Sequence, residues 1–106
     1  MNSIIVTPIS NIGRTHKTGG LHKVSRQKIE SILGFEPNAE GDPDKVTASW
    51  AFDVYLPSTG EHYPCAVWDY RGSFGWGAAS CYGNPDALAA VFGEHYTGYS
   101  DEDKDK

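Results

Sequence analysis

Val46, Ala48, Trp50, Phe52, Val54 and Leu56 alternate with Thr47, Ser49, Ala51, Asp53 and Tyr55. A period of two puts the first set on one face of a β-strand. Pro57, Ser58, Thr59 and Gly60 follow, a turn in which Pro presets φ and Gly supplies a positive φ. With a four-residue loop, Leu56 faces Glu61, Val54 faces Tyr63, Phe52 faces Cys65 and Trp50 faces Val67. The second strand then carries Tyr63, Cys65 and Val67 on the core face, and Ala66, Trp68 and Tyr70 on the other. Arg71, Gly72 and Ser73 read as a second hairpin turn, with a third strand returning over residues 74–82.

The flanks carry weaker signals. Residues 3–9 read as a short strand, and Pro8 confines it to an edge because it has no N–H for a ladder. Residues 11–21 (NIGRTHKTGGL) lack periodicity and read as a loop, with 10–22 expected to be a mobile basic segment. Ser25 is placed to cap a helix over 26–33, with Val24 and Ile29 at hydrophobic-staple spacing. Ile29, Ile32 and Leu33 form its apolar stripe, and Gly34 ends it in a left-handed cap. Residues 36–45 are polar and read as a surface loop. Asn84 followed by Pro85 opens a second helix, with Leu88, Val91 and Phe92 inward and Gly93 as its stop. Residues 95–99 read as coil and 100–106 as a disordered acidic tail. These elements predict one α+β domain over residues 1–99. It is a three- to four-stranded antiparallel sheet with two short helices, in the order β-α-β-β-β-α. Both helices belong on the Trp50/Phe52/Val54 face.

Composition adds bounds. The chain has 106 residues, the length of one domain, with a formal net charge of −5 that argues against general nucleic-acid binding. The positive charge is local: Arg14, Lys17, Lys23, Arg26 and Lys28 fall within residues 14–28, where no acid occurs. Ile4, Ile5 and Val6 are too short an apolar run for an export signal, and no stretch is long enough to span a membrane. A cytoplasmic location and free thiols are the corresponding expectations. Cys65 and Cys81 lie symmetrically about Ser73, so a turn centred there places them opposite one another. The four His and two Cys show no metal-ligand spacing, and no cofactor or metal is expected.

The chemistry centres on two features. The sheet face opposite the core carries Tyr55, Trp68 and Tyr70, joined by one or two of Phe74, Trp76 and Tyr82, where a solvated sheet carries Thr, Lys and Glu. A contiguous patch of this kind marks an interaction surface, or is covered by the N-terminal segment or by a second copy of the chain. The second feature is the loop GRTHKTGG. Its glycines, Thr15 and Thr18, and its bases suit an anion, but it lacks the Walker pattern. If it lies along the aromatics, Arg14, Lys17, Lys23 and Arg26 would hold phosphate while an aromatic ring stacks a base. If it lies elsewhere, a protein partner fits better, since Trp, Tyr and Arg dominate interface hot spots. A Cys81–His95–Asp69 arrangement can be drawn for a nucleophilic enzyme, yet nothing in the sequence requires it.

The segments KVSRQKIESILGFEPN, DKVTASWAFDV, CAVWDYRGS and YGNPDALAAVFGEHY, spanning residues 23–96, resemble small accessory proteins of tailed bacteriophages. The resemblance implies a viral protein acting in the host cytoplasm. Such proteins inhibit host or defence machinery by binding a protein, or sequester a nucleotide signal. The sequence-level expectation is a non-enzymatic inhibitor that binds a host protein through Trp68, Tyr70, Arg71, Trp76 and Tyr55. Nucleotide or short nucleic-acid binding by the 14–28 segment is the alternative.

Overall fold

A computed structural model describes residues 4–9, 18–38, 46–70 and 72–98. The long alternating stretch forms β3 (Val46–Leu56) and its hairpin partner β4 (Glu61–Tyr70), preceded by β1 (Ile5–Pro8), β2 (Gly19–His22) and α1 (Arg26–Leu33). A 3₁₀ turn over Ser73–Trp76 leads to β5 (Ala78–Tyr82), then α2 (Pro85–Phe92), a 3₁₀ turn over Gly93–His95 and β6 (Tyr96–Gly98). All strand pairs are antiparallel, and the sheet runs β1-β3-β4-β5-β2-β6.

The β3–β4 register is the expected one. Trp50 faces Val67, Phe52 faces Cys65, Val54 faces Tyr63 and Leu56 faces Glu61. The turn works as the sequence suggests: the Thr59 and Gly60 amides donate to the Leu56 carbonyl at 3.2 and 2.8 Å. A bulge between Val46 and Ser49 absorbs one irregularity at the far end of the ladder.

Both helices cover the Trp50 face. Ile29 and Leu33 of α1, and Ala87, Leu88 and Phe92 of α2, join Trp50, Phe52, Val54, Cys65 and Val67 in one core. The Phe52 and Phe92 rings meet edge to face with centroids 6.3 Å apart. The caps follow the sequence: Ser25 Oγ accepts from the Lys28 amide at 3.2 Å, and Asn84 Oδ1 accepts from the Asp86 and Ala87 amides. Gly34 takes φ +91°, and its N–H donates to the Glu30 carbonyl. The buried Trp50 indole N–H finds the Phe35 carbonyl at 3.1 Å, so the segment after α1 also satisfies the largest core side chain.

The sheet is larger than the three or four strands expected, and the order of elements is β-β-α-β-β-β-α-β. Two segments read as irregular are strands. Residues 19–22 form β2, paired with β5 on one side and β6 on the other, and residues 96–98 form β6. Neither has an alternating pattern; β2 begins Gly-Gly and is set by its neighbours. The Thr18 amide extends the β2–β5 ladder to the Cys81 carbonyl at 2.9 Å, while Thr18 Oγ1 accepts from the Gly83 amide at 3.1 Å. The expected strand over 74–82 begins only at Ala78, because residues 73–76 wind into a 3₁₀ turn. That longer connection moves the register by two residues: Cys81 faces Val67, not Cys65. Gly83 packs beside Cys65 instead, where an added Cβ would lie 2.6 Å from the sulfur. Cys65 and Cys81 are both buried thiols outside any disulfide, and the register sets them diagonally, not directly opposite. Residues 10–17, 39–45 and 99–106 lie outside the described residues, so the expected basic loop is seen only from Thr18 and the acidic tail not at all. Among the described residues no helix is long and apolar enough to cross a membrane.

Candidate interaction face

The pleat assigns the side opposite the helices. On β3 it carries Ser49, Ala51, Asp53 and Tyr55; on β4 His62, Pro64, Ala66 and Trp68; on β5 Ala78, Ser80 and Tyr82. No helix lies on this side among the described residues.

Trp68 stands between Ser49 of β3 and Ser80 of β5 in the register, and Ala66 between Ala51 and Tyr82. Ser49, Ala51, Ala66 and Ser80 are buried, while Trp68 and Tyr82 are half-buried. Small residues thus floor the middle of the face and large aromatic ones rise from it. At the hairpin end His62 Nδ1 meets Asp53 Oδ2 at 2.6 Å, and the Tyr55 and His62 rings lie 4.9 Å apart. A diagonal cross-strand pair of this kind orients the imidazole and holds the Tyr55 ring beside it.

The sequence-derived site residues divide. Trp68 and Tyr55 are on this face as expected. Trp76 leaves the sheet on the 3₁₀ turn and is 70% exposed, among the most exposed large hydrophobic side chains described. Phe74 turns to the core side instead and packs on Trp50 with ring centroids 6.1 Å apart. Tyr82 is the third-strand aromatic that does join the face. The Tyr70 backbone closes β4, but its side chain, like Arg71, lies outside the described residues.

Two of the four residues of the basic set, Lys23 and Arg26, are described. Arg26 sits on α1, on the helical side of the sheet, and its Nε binds Glu30 Oε2 at 2.9 Å. Lys23 is exposed at the β2–α1 turn with φ +57°. Thr18 spends its hydroxyl on the Gly83 backbone, accepting its amide and donating to its carbonyl at 3.3 Å. Arg14 and Lys17 lie outside the described residues.

The groups that could do covalent chemistry are apart. Cys81 is fully buried and paired with Gly19, whereas His95 binds the His22 carbonyl three residues further along β2. Burial, reinforced by the nearby Cys81, pushes the Cys65 thiol up to about 12, which makes it a poor nucleophile at neutral pH. Burial also raises the Tyr96 phenol, whose buried oxygen has no hydrogen-bond partner. Among the described residues no group of three or more His, Cys, Asp and Glu side chains is arranged around a metal position.

Three structural residues gave no sequence signal. Asn38 lay inside a segment read as a polar loop, yet it is a ladder partner of β3: its amide donates to the Ser49 carbonyl, and its side chain bridges Ala51 and Ile9. Thr18 and Tyr96 lay in segments read as coil, Thr18 as part of an anion-suited loop and Tyr96 as a residue that packs from the coil; their strand-linked roles were not read. Comparison with protein-family models, with curated proteins and with solved structures finds no match.

Proposed function

We propose that the protein is a non-enzymatic binding protein that recognises another protein through the aromatic sheet face and the exposed Trp76. The observation that carries this reading is the placement of the large aromatics. Trp68, Tyr82 and Tyr55 occupy a face that carries no helix among the described residues, and Trp76 on the 3₁₀ turn is 70% exposed. Solvent-facing Trp and Tyr on a rigid sheet offer large contact area with little side-chain entropy to lose, which is what interface hot spots use. A role as a viral inhibitor of a host protein rests on the sequence resemblance to phage accessory proteins. The nucleotide reading draws no support from Arg26 or Thr18, which are committed to Glu30 and to the Gly83 backbone.

The test is affinity capture from the bacterial host with the native chain and with the Trp68→Ala/Trp76→Ala variant, its fold checked by circular dichroism. A partner held by the native chain and lost by the folded variant is the expected result. Equal capture by both overturns the reading. A nucleotide-sized adduct in native mass spectrometry of the gently purified protein would replace it with the ligand-binding alternative.

A further inference from the structure

We infer that His22 and His95 form a two-imidazole site for a borderline divalent transition ion, Zn²⁺ or Cu²⁺, at the β2–β6 edge of the sheet. The inference is independent of the protein-binding reading, because neither residue belongs to the aromatic group.

Three observations converge. The β2–β6 ladder ends with Leu21 against Tyr96, and His22 and His95 are the next residues of the two segments, His95 closing the 3₁₀ turn that leads into β6. Their rings are 6.5 Å apart between centroids and inclined at 57°. Finally, the Nδ1 atom of each ring is already held. His95 Nδ1 lies 3.0 Å from the His22 carbonyl oxygen, and His22 Nδ1 lies 3.1 Å from Thr97 Oγ1.

The first of those bonds fixes a tautomer. A carbonyl only accepts, so His95 Nδ1 carries the proton and the lone pair of the neutral ring is on Nε2. The Thr97 hydroxyl can accept from His22 Nδ1 and leave the same lone pair on its Nε2. Imidazoles that ligate metals are oriented in this way, with the second ring nitrogen donating to a carbonyl or similar acceptor. His62 differs: its Nδ1 is held by the Asp53 carboxylate, and the aromatic ring beside it belongs to Tyr55, not to a second imidazole.

Geometry and charge are compatible with the ion. Zn–N bonds of about 2.1 Å place the centroids of two ligating rings roughly 5–6 Å apart, so the pair closes by about 1 Å on binding. His22 is exposed and His95 half-buried, so an ion reaches the pair from solvent. The net charge of −5 favours a cation. Imidazole selects Zn²⁺ and Cu²⁺ over Mg²⁺ and Ca²⁺, which take oxygen ligands, and Cu²⁺ is expected to bind more tightly than Zn²⁺. Water completes the coordination. Because His22 and His95 are 73 residues apart in sequence, the ion fastens β6 to β2 and raises the melting temperature by stabilising only the folded chain.

The experiment is titration of the full chain with Zn²⁺, followed by calorimetry and by the imidazole resonances in NMR, with His22→Asn, His95→Asn and His62→Asn variants in parallel. Asn keeps a side-chain N–H near the Nδ1 position and removes Nε2, so it separates ligation from folding. The expected result is one ion per chain, shifts at His22 and His95, at least ten-fold weaker binding in either of those variants, and no change in His62→Asn. Absence of saturable one-to-one binding overturns the inference. So does binding that keeps its affinity within ten-fold in either His22→Asn or His95→Asn, or that shifts the His62 ring instead.

Discussion

The Tyr96 ring occupies the space beside Gly19: a Cβ added at Gly19 would lie 2.9 Å from Tyr96 Cε1 and 3.0 Å from the Thr97 carbonyl oxygen. This contact explains why β2 begins with glycine. The strand surrenders a side chain so that the aromatic ring of the next strand can lie against its backbone. Gly19→Ala is expected to destabilise the fold by about 1–3 kcal/mol, the range for overpacking a filled position. Chemical denaturation measures it; an unchanged midpoint would contradict the close packing.

Tyr96→Phe is expected to act in the opposite direction. The phenol oxygen is buried without a hydrogen-bond partner, and removing such a group is neutral or stabilising by up to about 1 kcal/mol. The same denaturation experiment decides it, and a loss greater than about 1 kcal/mol would reveal a partner for the hydroxyl.

Asn38 takes over at the edge of β3 where β1 ends. Pro8 has no N–H, and beyond it Asn38 Oδ1 accepts the Ala51 amide at 2.8 Å while Nδ2 donates to the Ala51 and Ile9 carbonyls, each at 3.0 Å. Asn38→Ala strips the Ala51 amide and the Ile9 carbonyl of this partner at once and should cost about 1–3 kcal/mol. Amide hydrogen exchange at Ala51 should quicken in the variant; unchanged protection would place the stabilisation elsewhere.

Cys65 predicts a pH dependence. Cys65 has its thiol raised from 9.0 to about 12 by burial, so the folded chain holds a proton that the unfolded chain releases above pH 9. Stability is therefore unaffected below that point and falls as pH rises from 9 towards 12, by at most about 1.4 kcal/mol per pH unit for each such proton. The raised Tyr96 phenol adds to the loss in the same direction. Iodoacetamide at pH 8 should leave Cys65 unmodified until denaturant is added. Rapid alkylation of the native chain would show that the thiol is reached by solvent.

Trp76 separates stability from binding. With 70% of its surface exposed, Trp76→Ser should shift stability by no more than about 0.5 kcal/mol. A larger loss would mean that the side chain packs on the fold and is not free to meet a partner.

The hairpin was legible because its signals are local. Alternation assigns faces, and a four-residue turn fixes which residues meet, so Trp50 against Val67 and Phe52 against Cys65 follow from the chain alone. Both helices are equally local: Ser25, Gly34, Asn84 and Pro85 cap them, and their apolar stripes admit only the Trp50 face. The aromatic character of the opposite face follows from the same alternation, which is why Tyr55 and Trp68 were placed correctly.

Tertiary structure decided the rest. Gly19–His22 and Tyr96–Gly98 carry no strand pattern of their own. They become strands because β5 offers unpaired backbone groups that β2 satisfies, and β2 in turn offers an edge to β6. Local sequence cannot express a requirement that arises from a neighbour some sixty residues away. The same holds for the 3₁₀ turn at Ser73–Trp76, which moved Cys81 opposite Val67, sent Phe74 to the core and left Trp76 in solvent. It holds also for the meeting of His22 with His95, two residues unremarkable in the chain that only the order of the strands brings together. Periodicity and capping chemistry fix what each segment is; the pairing of backbone edges fixes which distant side chains share a surface.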